Sequence, residues 1–92
     1  MTRTELLPAV LDTAAAAPLA DMVRDRLAEN EPLHLDGSSV VQLGQACLQV
    51  LLSARDAATR RNLTFAVCDP SDALKTMATL AGGEALFANS EG

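Results

Sequence analysis

The side chains that could do chemistry are few and lie close together. His34, Ser38 and Ser39 fall within one short run, LHLDGSS, and Gln42, Gly44, Gln45, Cys47 and Gln49 follow directly after it. A serine ahead of a helix can accept a phosphoryl group, which adds nearly two negative charges at a helix start. A histidine can serve as a base or a metal ligand, and a cysteine as a nucleophile once its thiol is ionised. None of these residues has the partners that such roles require. His34 is the only histidine and has no carboxylate or cysteine at ligand spacing, so a packed or surface strand histidine is expected. Cys47 and Cys68 form no C-x-x-C pair and sit in apolar runs, which predicts small buried thiols. There is no Gly-rich phosphate loop, no Cys/His pair and no carboxylate cluster with an acid/base partner. The expectation is a protein that is not an enzyme and carries no metal and no cofactor.

The elements that position this run can be read from spacing. Glu5 to Asp12 is a strand candidate in which Pro8 cannot donate a ladder hydrogen bond, so an edge position or a bend is expected. A helix should start near Ala17, with Pro18 in its first turn. Leu19, Met22, Val23 and Leu27 then form one face, with Asp21, Arg24, Asp25 and Glu29 between them. Asn30 is the expected stop, and Pro32 leads into a short strand at Leu33, His34 and Leu35. Asp36 to Ser39 is a turn. Val40, Val41 and Leu43 lead to Gly44, the cap of a helix from Gln45 to about Arg61. Cys47, Val50, Leu51, Ala54 and Ala58 face inward on that helix, while Gln45, Gln49, Ser53 and Asp56 make a polar stripe.

Asn62 marks the next stop, and Leu63 to Cys68 reads as a buried strand. Asp69 to Asp72 opens a further helix with Ser71 as cap, Leu74, Met77, Ala78 and Leu80 or Ala81 inward, and Gly82 and Gly83 at its end. Ala85, Leu86 and Phe87 should pack before a loose tail from Ala88 to Gly92. Strands alternating with helices imply crossover connections and a sheet that is at least partly parallel. The reading is one α/β domain over residues 1–92, with a mixed, partly parallel sheet of about four strands and helices packed on it.

Composition narrows the function further. Apolar residues are 49% and charged ones 21% of 92 residues, which is globular composition. Phe65 and Phe87 are the only aromatics, so base or sugar stacking has little to work with. A net charge of −5 disfavours nucleic acid, whose phosphates are held by Lys and Arg. Arg55, Arg60 and Arg61 could form a local basic patch, but a solvated helix end is the simpler reading. No membrane-spanning run and no signal-peptide pattern is visible, so a cytoplasmic location and no membrane partner are expected.

Asp36 to Leu52 resembles the STAS domain, the module shared by sulfate transporters and anti-sigma factor antagonists. Asp36, Ser38 and Val40 match a D-L-S-x-V strand end, and Leu48, Leu51 and Leu52 match the start of the main helix. Between them the chain departs from the pattern. Where the family carries Asp, a Ser or Thr, a second small residue and Gly, this sequence has Gly44, Gln45, Ala46 and Cys47. The resemblance therefore implies that the phosphorylatable hydroxyl of anti-sigma antagonists is absent, with Ser38 in a structural turn position. Leu43 to Ala54 also resembles short STAS proteins found with alphaproteobacterial chemotaxis genes. What this implies is a stand-alone protein-binding module of bacterial signal transduction. Its partner would be a signalling protein such as a histidine kinase or response regulator, met on Ser38, Ser39, Gln42, Gly44, Gln45 and Gln49. An anti-sigma antagonist, or a STAS protein that binds a nucleotide or lipid, is the alternative. Homo-oligomers are possible, and a dimer through the Pro8 edge is one form.

Overall fold

Pro8 divides the first apolar run into two short strands, because a residue without a backbone donor cannot continue a ladder. The computed structural model describes residues 4–87, so the tail from Ala88 lies outside the described residues. β1 (Thr4–Leu6) and β2 (Val10–Leu11) flank the break. They are followed by α1 (Thr13–Ala28), β3 (Leu33–Asp36), β4 (Gln42–Leu43), α2 (Gln45–Arg60), β5 (Phe65–Cys68), α3 (Asp72–Leu80) and a 3-10 turn at Glu84–Phe87.

The strands form two ladders, and every pairing among the described residues is parallel. β3 lies between β1 and β5, with Glu5, Leu35 and Val67 in one row. β2 and β4 pair separately, Val10 with Gln42 and Leu11 with Leu43. The α/β architecture is as expected; of the two expectations for Pro8, it is a break in the run that is seen, between β1 and β2, and β1 itself lies at the sheet edge. The five strands are divided between two ladders rather than gathered in one sheet of about four. β4 escaped the sequence reading because two residues show no periodicity.

Strand alternation gives the three-stranded sheet two different faces. Leu7, Leu33, Leu35 and Phe65 are buried on the side where α1 and α2 pack. Leu6, His34, Asp36, Ala66 and Cys68 alternate to the other side and stay exposed or half-buried. Cys68 is thus less buried than expected, because its row belongs to the open side.

α1 starts at Thr13, ahead of the position expected from Pro18. The Asp12 side chain accepts the Ala15 N–H at 3.1 Å and caps the alanine run, which is strongly helix-favouring. Pro18 consequently stands inside the helix, beyond the first turn. Leu19, Val23 and Leu27 face the core as expected, and Arg26 is buried beside them at 5% exposure. Arg26 reaches Glu5 on β1 and Glu31 after the helix, so its charge is paired within the fold. Asn30 and Asn62 end α1 and α2 in the left-handed conformation, at φ 56° and 59°.

The basic cluster divides among local tasks. Arg60 pairs with Asp56 one turn back, and Arg61 donates to the Leu27 carbonyl at 2.8 Å, closing the last turn of α1. In α2, Cys47, Leu48, Leu51, Ala54 and Ala58 are buried, whereas Val50 is half-buried at the α1 seam. Leu80 on α3 is 83% exposed, contrary to the inward alternative. It falls about 200° around the helix from buried Ala78, and Ala81 lies past the helix end and is also exposed.

Candidate functional site

The face from Ser38 to Gln49 is built from the turn after β3, from β4 and from the start of α2. Its first anchor is Asp36. The Asp36 carboxylate accepts the Ser38 N–H at 2.9 Å, an Asx turn that reverses the chain out of the sheet. The Ser38 hydroxyl, and then its N–H, hold the Asp36 carboxyl below the ordinary carboxylate value. Ser38 thus stands in the turn against Asp36, and both Ser38 and Ser39 are exposed.

Gly37 is the second anchor. Its N–H donates to the Cys68 carbonyl at 2.9 Å, and its own carbonyl accepts from Ser71 at 3.1 Å. A Cβ at this position would lie 2.6 Å from Leu74 Cδ2 and 3.2 Å from Val67 Cγ1, so a larger residue would have to push these side chains aside. Ser71 completes the junction. Its hydroxyl donates to the Val40 carbonyl at 2.6 Å and accepts the Leu74 N–H at 3.0 Å, capping α3 while holding the loop. The cap was legible in the sequence, but the bond to Val40 was not.

Beyond buried Val40 the chain runs beside the Pro8 segment. The Ala9 carbonyl accepts from Val41 at 2.8 Å and from Gln42 at 3.2 Å, and the Leu11 carbonyl accepts from Gly44 at 2.7 Å. Gly44 caps α2 without a side chain: its carbonyl accepts the Leu48 N–H at 3.0 Å, and it has no side-chain oxygen to accept from the N–H groups before that one. Gly44 itself is half-buried, and a Cβ there would sit 3.3 Å from the Leu11 carbonyl oxygen. It contributes backbone rather than a side chain. Gln42, Gln45 and Gln49 are exposed around it.

Cys47 turns inward from the same helical turn. Its thiol donates to the Asp12 carbonyl at 3.2 Å, joining the start of α2 to the start of α1. Burial, and then the nearby Asp12 charge, push the thiol above its ordinary value, which keeps it protonated and unreactive at neutral pH. His34 lies apart from this face, half-buried on the open side of the sheet. Among the described residues no three His, Cys, Asp or Glu side chains come together in a way that could hold a metal ion.

Two apolar neighbours of the face were missed by sequence reading. Val41 and Val10 are 61% and 42% exposed, next to Gln42 along the β2–β4 ladder. The only available signal was the alternation of Val40 inward and Val41 outward. It becomes readable only once β4 is known.

A family model described as "Mlab, STAS domain" matches residues 7–87, nearly the whole chain. The chain belongs to the STAS domain family. No match is found among curated proteins. For a STAS domain, what was read from Asp36, Ser38 and Val40 now has a geometric meaning. The Asp turns the chain, the Ser holds the Asp, and the Val fixes the loop in the core. Among the described residues, no helix of this STAS domain is long and apolar enough to cross a membrane.

Proposed function

We propose that this STAS domain is a non-enzymatic protein-binding module of bacterial signal transduction, working in the cytoplasm as an accessory protein of a chemotaxis or related two-component system. It docks a signalling protein, such as a histidine kinase or response regulator, on the face formed by Ser38, Ser39, Gln42, Gln45 and Gln49. The observation that carries this reading is the start of α2. Gln45 and Ala46 of its first turn are exposed and carry no hydroxyl, and Gly44 leaves the turn without a side-chain cap. Such a turn offers N–H groups and amides to a polar partner but has no atom to accept a phosphoryl group. The module accordingly works by contact, without a covalent switch of its own. Support for the chemotaxis assignment is the resemblance in Leu43 to Ala54, and support for a contact module is the family.

The family also favours a second reading, an anti-sigma antagonist controlled by its abundance. Affinity purification with mass spectrometry separates the two, since one predicts a histidine kinase or receiver domain and the other an anti-sigma factor. With the partner in hand, Gln45→Lys and Gln49→Lys should each weaken binding about tenfold or more while leaving thermal unfolding nearly unchanged. Unchanged affinity for every partner would sink the proposed face. Stoichiometric phosphate on Ser38 or Ser39 in protein from growing cells would sink the absence of a covalent switch.

A further inference from the structure

The outward side of α1 takes no part in the docking face, yet it is not an ordinary solvated surface. Two grooves lie between α1 and β1 and share Glu5, Pro18 and Met22. One, of about 290 Å³, is apolar, with Leu6, Pro8 and Ala15 among its walls. Leu6 is 63% exposed, so this end opens to solvent. The other, of about 560 Å³, is bordered by Asp21, Asp25 and Glu29. These three carboxylates stand four residues apart along one side of α1, roughly 6 Å per step.

The cations nearby neutralise this row at Asp21 and leave its other two members, Asp25 and Glu29. Arg26 is buried and engaged with Glu5 and Glu31, and Arg24 pairs with Asp21. Among the described residues, Asp25 and Glu29 have no ion-pair partner. Like charges one turn apart repel, and the row is too spread out to close on a single metal ion. It is matched by an extended array of positive charge. An apolar recess continuous with an acidic row is complementary to a segment that is apolar at one end and basic along its length.

We infer that the α1–β1 groove binds a basic amphipathic helix of a partner protein. An aliphatic side chain enters the recess at Leu6, Pro18 and Met22, and Lys or Arg residues four apart meet Asp25 and Glu29. A helix suits the site better than an added strand, because among the described residues β1 offers only Thr4–Leu6 as an edge. The same carboxylates repel nucleic acid and anionic lipid, and a net charge of −5 opposes a second copy of this chain. The inference does not rest on the docking face, since neither Gln45 nor Gln49 lines this groove.

The test is fluorescence anisotropy of the full chain with two labelled synthetic helical peptides. Both carry leucines on one face, and one has lysines four residues apart where its twin has glutamates. The lysine peptide should bind at least about tenfold tighter than the twin. Raising salt from about 0.05 to 0.5 M should weaken it strongly. The double variant Asp25→Lys, Glu29→Lys should lose the preference, and Met22→Ser should weaken binding without changing the salt dependence. Gln45→Lys should leave it unchanged. Circular dichroism verifies folding, and the milder Asp25→Asn, Glu29→Gln pair stands in if charge reversal unfolds the chain. Equal binding of the two peptides would overturn the inference, as would indifference to both charge variants. So would a dimer in sedimentation that the charge reversal dissociates, because the occupant would then be a second copy.

Discussion

At Asp36 a single carboxylate holds the turn that presents Ser38 and Ser39. Because its folded-state pKa lies below the ordinary 3.8, its contribution is fully present above that pH and is lost as pH falls through the lowered value. Asp36→Ala should therefore lower the melting temperature by a constant amount between about pH 5 and 7, and this gap should close in acid below the ordinary carboxylate range. A gap that widens in acid would show that the carboxylate is not the turn's anchor. One residue further on, Gly37→Ala places a methyl group against Leu74 and Val67. Overpacking of this kind costs about 1–3 kcal/mol. Chemical denaturation should show the loss as a lower midpoint at unchanged slope.

At the scale of elements, what the sequence made legible depended on length. α2 and α3 were readable from their periodicity, and the stops at Asn30 and Asn62 from the tolerance of asparagine for positive φ. The start of α1 is not legible from Pro18, because the Asp12 cap outweighs the preference of proline for the first turn. β4 and the outward valines Val10 and Val41 stayed hidden because a two-residue ladder leaves no pattern. For the candidate face, the turn and the helix cap were visible. The bond from Ser71 to Val40, from an element far along the chain, was not. The position of Pro18 has a testable cost. Pro18→Ala restores an N–H to the Ala14 carbonyl, and against an interior penalty of up to about 3 kcal/mol the looser unfolded chain returns less than about 1. The variant should be more stable by about 1–2 kcal/mol, read from the denaturation midpoint. A loss of stability would mean that the ring packs in the groove more tightly than a methyl group.

For the whole molecule, the two ladders and the paired helix starts make one connected structure. The Cys47 thiol on Asp12 and the Gly44 N–H on Leu11 tie the beginnings of α1 and α2 together at the β2–β4 ladder. Below them, Leu11, Leu35, Leu51 and Leu74 belong to a single buried cluster that draws on strands and on all three helices. Hydrogen exchange should accordingly find β3 slower than β1, since among the described strands β3 alone has a neighbour on both sides and β1 lies at the edge. Faster exchange at β3 than at β1 would contradict the strand order.

The parallel ladders also govern how the chain reaches this state. Thr4 pairs with His34, Val10 with Gln42 and Leu33 with Phe65, so each contact joins residues about thirty positions apart. No hairpin exists among the described strands to form early and guide the rest, and the loop-closure entropy of each ladder must be met before that ladder stabilises the fold. Refolding should be slower than that of a helical bundle of equal length, and a cut anywhere between His34 and Leu63 should leave neither fragment with a complete three-stranded sheet.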